Sequence, residues 1–262
     1  MIPLERRDGL PLRVGHRGAA AVAPENTLAS FRAAVEAGVD LVEFDVLALR
    51  SGELVVAHSD DLHEVSHGRL RGTVRDKSLA ELRDLCPDLP TLEDALRYFV
   101  EEADGVGAHL DLKTPGREAE VVRLLHELGL AGRSLVSSVY LRTARRMARG
   151  GAGVRAGITF PRGVLGVTET NRGAPVARAG LRSLKRVMPA VVRSLLASTG
   201  ASALVLHHRL VGVDVVRRAH ALGAPVVAWT VDDPDELARL VEAGVDAVVT
   251  NDPAIFASTL QT

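Results

Sequence analysis

Residues 12–46, LRVGHRGAAAVAPENTLASFRAAVEAGVDLVEFDV, decide how the rest of the chain is read. Leu12–Gly15 and Leu41–Val46 are short apolar runs, and between them TLASFRAAVEAG repeats its apolar positions at the spacing of one helix face. Gly38 stands just past the last turn, where helices commonly end. Strand, helix and strand in that order form a crossover unit, which implies parallel strands covered by helix. Each strand also delivers its charge at its far end, His16 and Arg17 after the first and Glu43 and Asp45 late in the second.

The same punctuation continues outward. Leu54–His58, Ala108–Leu112, Leu135–Val139, Val154–Thr159, Ala203–His207, Val226–Val231 and Ala247–Thr250 read as strands. Amphipathic segments such as TLEDALRYFVEEA, REAEVVRLLHELG, LRTARRMARG and PDELARLVEAG lie between most of them. The linker LALRSGE between the second and third strand candidates is too short for a helical crossover, so one of that pair reads as a hairpin extension. Counting the pair once leaves eight strand-to-helix units, which over roughly 250 residues predict a (β/α)₈ TIM barrel, one domain spanning residues 1–262. The alternative, a doubly wound open sheet, more often has fewer strands. EAGVD recurs at 36–40 and 242–246, each time leaving a helix and entering a strand.

Composition agrees. Of the 262 residues 47% are apolar but only 3% aromatic, so the core must be built mainly from Ala, Val and Leu. A net charge of -1 offers no basic field for nucleic acid. The single cysteine, Cys86, excludes an intramolecular disulfide. No run approaches the ~18 apolar residues of a membrane helix, and the N-terminus lacks a signal-like apolar stretch, so a cytoplasmic location is the default expectation. The basic segment RAGLRSLKRVMPAVVRSLLAS reads as a solvated helix face, with membrane-surface contact the less favoured reading.

In such a barrel the active site gathers at the C-terminal ends of the strands. Glu43 and Asp45, two apart on one strand, point to the same side, and two buried anions repel unless a cation lies between them. A hard ion, Mg²⁺ or Ca²⁺, is expected there, with Asp111 of HLDLK as a third oxygen donor. The bland alternative turns one acid to solvent. Lys113 shares Asp111's side and suits a phosphate oxygen, or else begins a surface loop. His109 is deeper and reads as packing, and His207-His208 is a weaker feature at a strand end. His16 and His58 form the best proton-transfer pair, and Arg17 brings a planar fork for phosphate. In PENT, Asn26 or Thr27 can cap the next helix, so Glu25 need not be chemical. Gly15 and Gly18 are expected to clear space for a ligand at His16 and Arg17.

Taken in order, VGHRG, APENTLASFRAAVEAGVDLVEFDV, GELVVAH, LPTLEDAL, HLDLK and AWTVDDPDELARLVEAGVDAVVTNDP resemble the glycerophosphodiester phosphodiesterase family over nearly the whole chain. The resemblance implies a metal-dependent barrel that cleaves small glycerophosphodiesters to glycerol 3-phosphate and an alcohol. It implies His16 and His58 as the acid–base pair, Arg17 and Lys113 as phosphate ligands, Glu43, Asp45 and Asp111 as metal ligands, and Trp229 as part of the substrate pocket. The chain departs from the family pattern at four places. Ser59 follows the second histidine where Asp is usual, Leu49 and Ser51 replace Thr and Asp, Asp111 replaces Glu, and the stretch after His58 is short. A lysophospholipase D-like activity using segment 161–199, and a non-catalytic phosphate-ester binding protein, are the competing readings.

Overall fold

The structure, a computed structural model, describes residues 1–161 and 175–259. Its strands are β1 (Leu12–Gly15), β2 (Leu41–Ala48), β3 (Leu54–Val56), β4 (Gly107–Leu112), β5 (Ser134–Ser138), β6 (Arg155–Phe160), β7 (Ala203–His207), β8 (Val226–Trp229) and β9 (Ala247–Thr250). β1 pairs in parallel with both β2 and β9, and β2, β4, β5, β6, β7, β8 and β9 follow in parallel register, so eight strands close on themselves. β3 lies outside that circuit. It runs antiparallel to β2, with Val46 opposite Val56, and is the hairpin extension foreseen for the short linker. It ends at Val56, so His58 stands on the loop beyond it.

The helices α1 (Leu28–Glu36), α2 (Leu62–Val65), α3 (Leu79–Leu85), α4 (Leu92–Glu101), α5 (Glu118–Glu127), α6 (Leu141–Gly150), α7 (Pro175–Thr199), α8 (Val213–His220), α9 (Pro234–Ala243) and α10 (Ala254–Thr259) complete the element order. α1 begins at Thr27, whose hydroxyl accepts from Ser30 N at 3.2 Å while Ser30 returns the bond, so Thr27 caps the helix and Asn26 is freed for another task. Both EAGVD turns use one local solution. Gly38 and Gly244 take φ of +77° and +85°, and the following Asp40 and Asp246 accept the backbone N–H of Arg13 and Val226 at 2.8 and 2.7 Å. Each turn thereby ties its helix exit to the start of a neighbouring strand.

Strand alternation divides the core in two. Leu12, Val14, Leu41, Leu135, Val205, Val227, Ala247 and Val249 fill the barrel, with Ile2 and Leu4 in the same cluster. The opposite faces pack on the helices, as expected mostly through Ala, Val and Leu. The scarce aromatics are not spread evenly: Phe31, Phe44, Tyr98 and Phe99 join α1, β2 and α4, with Phe31 and Phe44 centroids 5.2 Å apart. No described helix is long and apolar enough to cross a membrane. The stretch RGVLGVTETNRGAP, part of the segment considered for lipid contact, falls largely outside the described residues.

Candidate active site

Following the interior side of each strand to its C-terminal end brings the polar residues to one mouth. His16 continues Leu12 and Val14, Glu43 and Asp45 continue Leu41, and Ser137 continues Leu135. His109, Asp111 and Lys113 share one side of β4 and its exit, Thr159 lies on β6, and Trp229 continues Val227.

His16 Nδ1 lies 2.6 Å from Asn251 Oδ1, and Asn251 Nδ2 donates to Asp232 Oδ2 at 2.6 Å. The Asp232 carboxylate only accepts, so the amide turns its NH₂ there and its oxygen to His16. The His16 Nδ1 therefore carries the proton and Nε2 keeps its lone pair, 3.9 Å from Glu43 Oε2. Burial, and then the neighbouring Arg17 charge, lowers the His16 imidazole to about 4.

Arg17 sits at φ +50°, which aims its backbone N–H at Glu43 Oε2, 3.0 Å away. Its guanidinium donates to Glu25 at 2.7 Å and lies 3.2 Å from Asp45 Oδ2. Glu25 is thus part of the site. Asn26 is too: its Nδ2 donates to Asp45 Oδ2 at 3.0 Å, and its Oδ1 accepts Asp45 N at 3.1 Å. Gly15 and Gly18 have a packing role in this loop. A Cβ at Gly15 would strike Gly18 O and Ala34, and one at Gly18 would strike Ser30, so they let the loop lie against α1.

Lys113 Nζ stands 2.7 Å from Asp45 Oδ1 and 2.6 Å from Asp111 Oδ2. Asp111 Oδ1 also accepts from Ser137 Oγ at 2.7 Å and Thr159 Oγ1 at 3.1 Å. Burial opposes charge on both acids, but Lys113 overrides it and holds them below the ordinary carboxylate range, helped at Asp45 by Arg17. Glu43 fares otherwise: burial, and then the charge of Asp45, pushes its carboxyl well above that range. Among the described residues no three His, Cys, Asp or Glu side chains converge as a metal cage, because the Lys113 ammonium stands between Asp45 and Asp111. The donors nevertheless fit a hard cation. They are oxygens only, and the cost that burial and Asp45 place on ionising Glu43 is one that a bound cation would offset.

His58 faces this cluster from the loop after β3. Its Nδ1 is 3.0 Å from Glu64 Oε1, and Ser59 Oγ donates to Glu64 Oε2 at 2.7 Å. Leu49 is buried against Val55, Ala57 and Leu62, so its departure from the family pattern is a packing matter, while Ser51 is exposed. His109 donates from Nε2 to Ser137 Oγ at 2.9 Å, deep in the barrel, and burial lowers it to about 4, as suits a packed histidine. The Trp229 ring meets His207 edge-on at 5.2 Å, and its buried Nε1–H has no acceptor among the described residues. His208 pairs with Glu236 at 2.6 Å, and its ring centroid lies 4.6 Å from that of His207. Sequence reading missed Glu64, Asn251 and Asp232. The interior parity of Asn251 after Val249 was the one available signal.

The family model described as Glycerophosphoryl diester phosphodiesterase family matches residues 16–255. A probable glycerophosphodiester phosphodiesterase 1 of Mycobacterium tuberculosis is 29% identical, over 94% of this chain and 90% of its own length. A putative glycerophosphodiester phosphodiesterase of Bacillus subtilis is 27% identical, over 92% of this chain and 94% of its own. Among solved structures, a putative glycerophosphoryl diester phosphodiesterase of Silicibacter pomeroyi superposes with a TM-score of 0.77 at 23% identity, covering 98% of this chain and 95% of that one. A phosphodiesterase of Oleispira antarctica, solved with its product sn-glycerol-3-phosphate, gives 0.73 at 24% identity, covering 96% and 97%.

Proposed function

The chain belongs to the glycerophosphoryl diester phosphodiesterase family, and on that premise we propose that it hydrolyses small glycerophosphodiesters to glycerol 3-phosphate and an alcohol. The observation that carries this reading is the convergence of His16, Arg17, Glu43, Asp45, His58, Asp111 and Lys113 on one mouth, with the two histidines backed by different partners. A divalent cation, Mg²⁺ or Ca²⁺, held by Glu43, Asp45 and Asp111 would neutralise charge developing on a non-bridging phosphate oxygen. Arg17 and Lys113 orient the remaining oxygens. Two of the three Lys113 donors serve Asp45 and Asp111, which leaves the third for phosphate. Trp229 lines the substrate pocket and offers an N–H that no described residue engages.

His16 is the base. Its Nε2 lone pair is fixed by Asn251, and its depressed basicity keeps it neutral at pH 7, ready to take the proton of the attacking nucleophile, water or the substrate's glycerol hydroxyl. His58 is the acid and delivers its proton to the departing alkoxide. Turnover of bis(p-nitrophenyl) phosphate, with and without chelator, tests the reaction class. Cation-dependent release of nitrophenol is expected. Tight diester binding without turnover would make the chain a phosphate-ester binding protein instead.

A further inference from the structure

We infer that Glu64 is the positioning carboxylate of His58, and that it specialises this histidine for protonating the leaving group. The inference rests on the acid–base reading above. Both Glu64 oxygens are committed within the short loop that carries the histidine. Oε1 lies 3.0 Å from His58 Nδ1, and Oε2 accepts the Ser59 hydroxyl at 2.7 Å. Ser59 Oγ in turn accepts Asp61 N at 3.2 Å, and Asp61 caps α2 by accepting His63 N at 2.9 Å. The one-turn helix α2 is therefore locked to the loop, and Glu64 is aimed back at His58. Arg17 Nη1 approaches the same Oε1 to 3.7 Å, which joins the carboxylate to the phosphate-binding side of the mouth.

Exposed carboxylate–histidine pairs are commonly incidental. This one is half-buried, its carboxylate is held at about 2 by bonds from His58 and Ser59 that overcome the effect of burial, and it flanks the cleft beside His58. An anionic acceptor at Nδ1 sets the tautomer so that Nε2 faces the reacting group. His16 has a neutral amide in the corresponding place. The two backings thus divide the labour. As the P–O bond breaks, its electron pair stays on the alkoxide oxygen, which takes the His58 Nε2 proton. The neutral imidazole keeps its Nδ1–H on Glu64 until water restores the proton. Ser59, the residue directly after His58, is the clamp that orients Glu64.

The test compares Glu64→Gln, Glu64→Asp, Ser59→Ala and His58→Ala on an alkyl glycerophosphodiester and on a p-nitrophenyl diester. Glu64→Gln should lower kcat for the alkyl ester roughly 10- to 100-fold, the range known for carboxylates that orient metal-binding histidines through the same bond. KM should change little, the p-nitrophenyl ester should lose under about 3-fold because its leaving group needs no proton, and Glu64→Asp should recover much of the loss. Equal losses on both esters, a loss confined to KM, or no loss would overturn the inference. Ser59→Ala removes only the clamp and should show the same selectivity at smaller amplitude, which keeps the comparison decisive if Glu64→Gln folds poorly. If His58→Ala itself lacks leaving-group selectivity, the acid assignment fails. If His58→Ala is selective and neither Glu64→Gln nor Ser59→Ala is, the role of Glu64 alone is wrong.

Discussion

Replacing Lys113 by Met should destabilise the protein in a way that reports the charge arrangement at the mouth. Met keeps most of the stem volume but removes the ammonium held 2.7 Å from Asp45 and 2.6 Å from Asp111. Asp45 then keeps Arg17 and Asn26, whereas Asp111 keeps, among the described residues, the hydroxyls of Ser137 and Thr159. Removing one partner of a buried ion pair costs about 3–5 kcal/mol. The Lys113 side chain is 20% exposed, so water reaching the site favours the lower end of that range, ~3 kcal/mol. For a chain of this size each kcal/mol moves Tm by about 2–4 °C, which predicts a fall of roughly 6–12 °C at pH 7 in chelator. The difference should shrink as pH falls toward 4. Asp45 and Asp111 are held low in the wild type, so their contribution is intact above the unfolded carboxylate value and is lost only below it. In the variant the stranded acids bind protons at higher pH, which relieves the penalty earlier. Added Mg²⁺ or Ca²⁺ should raise Tm more in the variant than in the wild type, because the ion replaces the missing positive charge. Calorimetric melts at pH 7 and near 4, with and without cation, decide it. A fall under about 2 °C at pH 7, or a difference that widens on acidification, would refute the reasoning.

Glu43→Gln should raise metal-free stability at pH 7, since the folded-state pKa of Glu43 is raised and its ionisation costs stability as pH increases, and it should weaken cation binding and activity together. Thermal melts and cation titration check both halves, and a less stable metal-free variant would count against it. His16→Ala and His58→Ala should each lower kcat roughly 10²–10⁴-fold, with the double variant costing far less than the product. A p-nitrophenyl ester should largely rescue His58→Ala but not His16→Ala. The acid limb of kcat/KM should fall near 4, because protonating His16 abolishes the base, and a limb near neutrality would remove His16 from that role.

The barrel was legible because its signals are local and periodic. Apolar runs, glycine exits and the EAGVD repeat recur along the chain, and β1, β7 and β9 begin and end where the sequence reading placed them. The charged residues at strand ends were legible for the same reason. Partnerships across the mouth were not. Asn251 reaches His16 only because β9 closes on β1, and Glu64 reaches His58 only because a one-turn helix folds back. Alternation places Lys113 on the interior side but cannot say that its ammonium stands between Asp45 and Asp111. Nor could the sequence say that Gly15 and Gly18 also admit the close approach of α1.

The most direct test of the central claim is ³¹P NMR of the products formed from an alkyl glycerophosphodiester by the wild-type protein, with Mg²⁺ or Ca²⁺ and then with excess chelator. The account predicts a glycerol 3-phosphate resonance that grows with the cation present and stops with chelator. An intact diester under both conditions, or a phosphoalkyl product with free glycerol, would contradict it.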